Sequence, residues 1–352
     1  VIGTRIQLAR EPRRMLLIKP SALGDVVHTL PVLSLLRDRF PSARIDWLVN
    51  PAFAGLLEGH PHLDNVVLFE RKRLGRAWRE PDGIRGIWHL ARSLFARRYD
   101  LVIDLQGLLR SGWLTLQTRA PMRVGFASAR EFAPLCYTHR IAARGNDRHA
   151  IERYLDVAGA LGCPRGPVRF EFGVRDNDRA VVDQLFDRAA PYAVLLPGTN
   201  WLTKRWPAEH FAALVEPLRS RFGLRSVLAG GADAAELASA FSDVVDLTNK
   251  TTLRQLVALL ERAALVVCND SGPMHIAAAL GVPMVALFGP TSPRRTGPYR
   301  RLDSVVRLDI ECSPCFSRHC AHRTCLNDLS VAVVLRQIER QLATGSLAGP
   351  MR

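Results

Sequence analysis

The sequence predicts an α/β protein built from two doubly wound halves, each a parallel sheet with helices on both faces. Short apolar runs such as Met15–Lys19 and Leu265–Cys268 alternate with stretches whose apolar positions recur at helical spacing. That alternation is interrupted by a polar stretch at Val174–Arg179 and then begins again. At 352 residues, with 48% hydrophobic and 23% charged, the chain has enough apolar sequence for two ordinary cores. The expected domains are residues 1–180 and 181–352.

Residues 1–14 are expected to form a basic, frayed leader. Met15–Lys19 is the first strand and Ser21–Asp25 a turn. Val26, Val27, Leu30, Leu33 and Leu36 then mark a helix running to Phe40. Pro31 cannot donate to the Val27 carbonyl, so that helix is expected to bend or start late. Ile45–Val49, Asn65–Phe69 and Leu101–Leu105 are the next strands. In the second half the expected order is strand Tyr192–Leu196, helix Ala208–Arg221, strand Ser226–Ala229 and helix Ala234–Phe241. Helix Leu253–Arg262, strand Leu265–Cys268, helix Met274–Leu280 and strand Met284–Phe288 follow. Such sheets bind ligands beyond the carboxyl ends of their strands, and two facing halves are expected to make a cleft.

The formal charge of +15 favours anionic partners: phosphorylated substrates, nucleic acid or an anionic membrane surface. Lysine occurs only at positions 19, 72, 204 and 250, so the basicity is almost all arginine, which is also the usage of a GC-rich coding sequence. The arginines are scattered, with no long basic run or aromatic–basic interleaving, which argues against a nucleic-acid binder. No apolar run approaches the ~18–20 residues of a membrane-spanning helix. The first residues, Val1–Arg5, lack the apolar core of a signal peptide, so a cytosolic protein is expected.

Four of the seven cysteines cluster at Cys312, Cys315, Cys320 and Cys325, with His319 and His322 among them. Thiolates on one loop suit zinc or an iron–sulfur cluster. The spacing does not match two distant C-x2-C pairs, and a reduced, loop-packing role is the expected one. Cys136, Cys163 and Cys268 read as small buried hydrophobes.

The segment with the most chemistry is Asn269–Ile276. A strand ends in Asp270-Ser271-Gly272 and a helix carrying His275 follows. Helix N-termini leave amide groups unpaired and attract phosphate, although Asp270 or Ser271 can equally be an ordinary cap. Pro197–Pro207 follows another strand and holds Lys204 between Trp201 and Trp206. It lacks the second glycine and the hydroxyl of a Walker A loop, yet Lys204 suits the charge of a diphosphate. Gly230–Glu236 and Phe288–Pro293 are two more strand-end loops with small, hydroxyl or acidic residues. Four such loops in one half point to a nucleoside diphosphate. In the first half there is no G-x-G-x-x-G, so a nicotinamide or flavin dinucleotide is not supported. Gly24 frees the turn there, and Asp25 at the helix start can act as a general base or as an N-cap.

KPSALGDVVHTLP (Lys19–Pro31), PGTNWLTKRWP (Pro197–Pro207), NDSGPMHIAAALGVP (Asn269–Pro283) and FGPTSP (Phe288–Pro293) together resemble the bacterial heptosyltransferases, glycosyltransferase family 9. The likeness runs from about residue 14 to 340, and ECSPCF (Glu311–Phe316) is similar to members of the heptosyltransferase II type. The resemblance implies a GT-B architecture of two Rossmann-like domains across a cleft, with the acceptor on the first and ADP-heptose on the second. It implies transfer to the inner core of lipopolysaccharide at the cytoplasmic face of the inner membrane. Asp25 matches the base and Lys204 the residue stabilising the leaving diphosphate. Asp270 would contact heptose, and Ser271, Gly272 and His275 the phosphates and sugar. Thr199 and Asn200 fall at the diphosphate, with Asn200 in place of the usual threonine, and Glu236 and Thr251 flank adenosine.

Attack of the acceptor hydroxyl on the anomeric carbon expels ADP and inverts the configuration, so positive groups belong at the diphosphate. Lys204 and the Ser271–Gly272 amides supply them without a metal, and no cofactor beyond the donor is expected. Arg71, Lys72, Arg73, Arg76, Arg79, Arg123 and Arg130 are candidates for acceptor phosphates. A GT-B enzyme on another nucleotide sugar, transferase or epimerase, stays open beside this reading. A non-enzymatic anion or nucleic-acid binder is the more distant alternative.

Overall fold

The computed structural model of the protein describes residues 5–70, 81–142, 148–187 and 190–345. The chain divides into two compact units, Val1–Gly173 and Val174–Arg352. Each holds one six-stranded sheet. In the first, β1 (Arg14–Ile18), β2 (Arg44–Val49), β3 (Asn65–Leu68), β4 (Leu101–Asp104), β5 (Met122–Phe126) and β6 (His139–Ile141) lie in the order β3-β2-β1-β4-β5-β6. The second unit contributes β7 (Tyr192–Leu196), β8 (Arg225–Leu228), β9 (Val245–Asp246), β10 (Leu265–Asn269), β11 (Met284–Leu287) and β12 (Val305–Val306). Their order, β12-β11-β10-β7-β8-β9, is the same topology met from the other edge. All pairings are parallel, with Met15 opposite both Ile45 and Leu101, and Val266 opposite both Val194 and Met284.

Parallel central strands are covered on both faces, so they read as continuous apolar runs. Met15, Leu16, Leu17 and Ile18 are fully buried, as are Leu265, Val266, Val267 and Cys268. The central strands were therefore legible, whereas β5, β6, β9 and β12 were not assigned. Met122–Phe126 carries Arg123 and Gly125, and β9 and β12 are two-residue edge strands, too short to show a period.

Several elements depart from the sequence reading. The first helix spans Leu23–Arg39 and continues through Pro31. Proline inside a helix costs about 3 kcal/mol. Burial of Val26, Val27, Leu30, Val32, Leu33 and Leu36 offsets this, at roughly 1.5–3 kcal/mol for each large side chain. The leader is docked over its described part: Ile6 N–H bonds the Ala160 carbonyl at 2.8 Å, and the Arg13 and Arg14 amides share Asp100 at 2.9 and 3.0 Å. The expected single helix over 208–221 is two, Ala208–Ala212 and Val215–Phe222. Pro217 sits in the first turn of the second, where its missing N–H has no intrahelical role. Ala234–Phe241 likewise resolves into a helical turn at Ala232–Ala235 and a 3₁₀ turn at Ala238–Ala240.

The polar stretch at Val174–Arg179 runs into the helix Asp176–Leu185, which belongs to the second unit. Arg179 forks onto Glu261 at 3.0 and 3.2 Å, and Arg254 pairs with Asp178 at 3.1 Å, tying this helix to Leu253–Glu261. The second unit therefore takes in this whole helix and begins at Val174. A last helix, Val331–Gly345, buries Val334 and Ile338 in the second core. No described helix is long and apolar enough to cross a membrane.

Candidate active site

In a sheet of this order the connections leave in opposite directions at one point, between β1 and β4 in the first unit and between β7 and β10 in the second. Ligand crevices open there, beyond the strand ends. Both points carry a carboxylate paired to a lysine.

In the first unit, Lys19 follows β1 and is 3% exposed. Its ammonium donates to the Leu105 carbonyl beyond β4 at 3.0 Å and lies 3.6 Å from Asp25 Oδ1, so it spans the switch point. Asp25 is in the first turn of the Leu23–Arg39 helix. The N-cap, Ala22, has no side-chain acceptor, and Asp25 Oδ2 takes the Ala22 amide at 3.2 Å. Oδ1 accepts the Tyr154 hydroxyl at 3.0 Å, from the Ala150–Ala160 helix. Burial pushes the Tyr154 phenol well above its ordinary range, with Asp25 adding to the effect, so the hydroxyl stays a donor. The Asp25 side chain is 38% exposed: a carboxylate held by two hydrogen bonds and one ion pair, with solvent still able to reach it.

Lys19 and Tyr154 were not singled out from the sequence. Lys19 is the last residue of an apolar run and reads as a strand terminus, while Tyr154 lies 129 positions from Asp25 and leaves no local signal. Asp104, also missed, is fully buried at the end of β4. Its carboxyl is raised by burial and opposed by hydrogen bonds from Tyr137 (2.7 Å) and the Gln106 and Gly107 amides (2.8 and 3.1 Å), which shape the adjoining turn.

In the second unit, Asn269 ends β10 and is fully buried. Its Oδ1 accepts the Trp206 amide at 3.1 Å and its Nδ2 donates to the Pro197 carbonyl at 2.7 Å, clamping the loop after β7 to the loop after β10. That clamp brings Lys204 to Asp270, Nζ to Oδ2 at 2.6 Å, with Asp270 5% exposed. Thr291, from the loop after β11, donates to the same oxygen at 2.5 Å. Asp270 is thus not a helix cap. Ser271 is the N-cap of the Gly272–Leu280 helix, yet its side chain caps nothing, and its buried Oγ has no hydrogen-bond partner among the described residues. An unpaired hydroxyl beside the first amides of a helix is an anion-binding arrangement. His275 is buried in the first turns of that helix.

Thr199 is buried and its carbonyl accepts Arg205 Nε at 3.1 Å; Asn200 is exposed beside it. Gly198 is required by close approach, since a Cβ there would sit 2.7 Å from Asp233 Oδ2 and 3.0 Å from the Ala234 amide. Arg205 reaches Glu236 at 3.5 Å, so Glu236 joins this end of the sheet as an exposed carboxylate after β8. Thr251 is half-buried after β9, next to Thr252, which caps the following helix through Gln255. Thr199, Lys204, Glu236, Asp270, Ser271 and Gly272 therefore share the carboxyl edge of the second sheet.

Of the basic candidates in the first half, Arg71, Lys72, Arg73, Arg76 and Arg79 lie outside the described residues. Arg123 is committed to structure, its guanidinium bonding the carbonyls of Cys136 (2.9 Å) and Ala120 (2.7 Å). Arg130 is exposed on the loop after β5, and its amide is tied to the Gly107 carbonyl at 2.9 Å.

Cys312 and Cys315 are exposed, Cys320 is intermediate and Cys325 is buried. Among the described residues no group of three or more His, Cys, Asp or Glu is arranged to hold a metal ion. Burial pushes the Cys325 thiol up, with Cys315, Cys312 and Cys320 adding to it, and its sulfur fills the space that a Cβ on Gly289 would need. Of the other three cysteines, Cys163 and Cys268 are buried and Cys136 only partly so.

Lipopolysaccharide heptosyltransferase 1 of Pseudomonas aeruginosa is 34% identical over 88% of this chain and 88% of its own. The solved structure of Escherichia coli heptosyltransferase WaaC with ADP superposes with a TM-score of 0.76 at 29% identity, covering 93% of this chain and 99% of that one. Escherichia coli ADP-heptose lipopolysaccharide heptosyltransferase II gives 0.73 at 26% identity over 95% and 99%. Residues 87–325 match glycosyltransferase family 9 (heptosyltransferase). With a family match over more than half of its length and a relative 34% identical over 88% of it, the chain belongs to glycosyltransferase family 9, the heptosyltransferases.

Proposed function

We propose that this protein transfers heptose from ADP-heptose to the inner core of lipopolysaccharide, with inversion, using Asp25 as base and Lys204 at the leaving diphosphate. The observation that carries the reading is the carboxylate–lysine pair at each switch point: Asp25 with Lys19 at 3.6 Å, and Asp270 with Lys204 at 2.6 Å.

In the amino-terminal unit, the Lys19 ammonium and the Tyr154 hydroxyl hold and aim the Asp25 carboxylate, so that it can accept the proton of an acceptor hydroxyl. In the carboxy-terminal unit, the Lys204 ammonium, the Ser271 hydroxyl and the amides of Gly272 and Met274 meet the charge that grows on the diphosphate as the glycosidic bond to it breaks. Fixed donors aimed at developing charge stabilise the transition state more than the ground state. Asp270 and His275 take heptose hydroxyls, Thr199 and Asn200 the diphosphate, and Glu236 and Thr251 the adenosine. These positive groups support a reaction that needs no metal, and EDTA-treated enzyme is expected to keep its rate.

Arg130 and the basic residues at 71–73 are proposed for acceptor phosphates, whereas Arg123 supports the loop. The acceptor is lipid-anchored and the net charge of +15 suits an anionic surface, which supports peripheral work at the cytoplasmic face of the inner membrane. The greater identity to the heptosyltransferase 1 protein favours that type of transfer over type II.

The test is Asp25→Ala. Transfer should fall by about 10²–10⁴, the usual contribution of a general base, while thermal stabilisation by ADP is unchanged. Retained turnover removes Asp25 as base. Equal stabilisation by UDP or GDP would assign the site to another nucleotide sugar.

A further inference from the structure

The loop over 311–325, with its four cysteines, is a sequence feature that the proposed mechanism leaves unused. It is anchored throughout to the loops of the second unit's carboxyl edge. Ser313 Oγ donates to the Gly289 carbonyl at 2.6 Å and the Phe316 amide to the Pro290 carbonyl at 2.7 Å. Thr203 Oγ1 donates to the Ser317 carbonyl at 2.9 Å, and Arg323 Nη1 to the Leu202 carbonyl at 3.4 Å. Buried Cys325 seats the end of the loop under Gly289. The cysteine segment is therefore a brace between the loop carrying Lys204 and the loop carrying Thr291.

What the brace presents is Arg318. Its guanidinium lies 4.5 Å from the centre of the Trp201 ring, and the Lys204 ammonium lies 4.6 Å from the same centre. An indole attracts cations to its ring faces, so Trp201 gathers two of them at one place. Lys204 is neutralised by Asp270, and the nearby Arg205 by Glu236. Arg318 is exposed and has no carboxylate partner among the described residues. Two cations on one indole, of which only Lys204 has a carboxylate partner, leave a net positive charge that an anion can complete, and a guanidinium fork matches two phosphate oxygens.

Sheet order says which part of the donor this is. Glu236 and Thr251 follow β8 and β9, on one flank of the switch point, while the brace follows β12 on the other flank. With adenosine toward β8 and β9, a cation held on Trp201, in the loop after β7 at the switch point, lies on the phosphate side of the nucleotide. We propose that Arg318 is a further donor-binding residue, contacting the β-phosphate of the nucleotide sugar from its stack on Trp201. This rests on the reading of the second unit as the ADP-heptose site.

The experiment is calorimetric titration of wild type, Arg318→Ala and Arg318→Lys with ADP and with AMP, alongside steady-state kinetics. For Arg318→Ala, ADP affinity is expected to fall about tenfold, AMP affinity to change less than twofold, and kcat/KM for ADP-heptose to fall with ADP affinity at constant acceptor KM. Arg318→Lys should fall between, which keeps the test open if the alanine variant folds poorly. Unchanged ADP affinity overturns the proposal, as does equal loss of ADP and AMP, or a rise confined to acceptor KM. Should wild type bind neither nucleotide, the donor reading itself fails. Should wild type bind ADP and Arg318→Ala bind it equally, only the role of Arg318 falls.

Discussion

Replacing Lys204 with alanine probes the second switch point in two ways. Asp270 is 5% exposed and holds the Lys204 ammonium at 2.6 Å, with Thr291 as its other donor. Removing one member of a buried ion pair costs about 3–5 kcal/mol, because a charge is left behind without its partner. Lys204 is 16% exposed and Thr291 stays, so water and one hydroxyl recover part of this, leaving about 2–3 kcal/mol. For a unit of this size, that is a fall in Tm of roughly 5–10 °C. The double variant Lys204→Ala/Asp270→Asn should regain most of the loss, since no unpaired carboxylate remains. Binding gives a separate readout. ADP at a hundred times its Kd adds about 2.7 kcal/mol to wild type, and a hundredfold weaker site would gain only about 0.4 kcal/mol at that concentration. Turnover should drop by about 10²–10³ if the ammonium acts on the leaving group. Differential scanning fluorimetry of the four proteins of this cycle, with and without ADP, measures the stability and binding terms. A double variant no more stable than Lys204→Ala refutes the electrostatic account of the pair. Full ADP stabilisation of Lys204→Ala refutes its place at the diphosphate.

Asn269→Ala strips the partners from two buried backbone groups, the Trp206 amide and the Pro197 carbonyl, at about 1–3 kcal/mol each. Chemical denaturation should show a loss of about 2–6 kcal/mol together with weakened ADP binding, and a variant within about 0.5 kcal/mol of wild type (roughly the scatter of surface substitutions) would show that Asn269 is not the clamp. In the first unit, His60 is held down to about 4 by burial, against the backbone carbonyl of Glu171 and with His62 adding to the depression. Below the ordinary value of 6.5 the unfolded chain takes up a proton that the folded ring refuses, so stability from this group is complete above about pH 6.5 and lost as pH falls toward 4. The shift corresponds to about 3 kcal/mol, and His60→Gln should flatten the stability–pH curve over that window.

Much of this was decided by local sequence. The central strands β1, β7, β10 and β11 are apolar runs buried on both faces, and the loops after them carry Asp25, Lys204, Asp270 and Ser271 in patterns that a single chain displays. Such features are set by nearest neighbours: an apolar run has to be covered, and a glycine or serine after it opens a turn. Edge strands of two residues and helices broken at Pro217 carry no such period. The helix through Pro31 went the other way, because burial outweighed a local penalty. The partners of the site were decided by tertiary structure alone. Tyr154 meets Asp25 across 129 positions, Thr291 meets Asp270 across 21 and Asn269 reaches Pro197 across 72. The order 3-2-1-4-5-6 is what puts the ends of β1 and β4, and of β7 and β10, side by side. Electrostatic pairing depends on distance in space, and only the folded topology sets that distance.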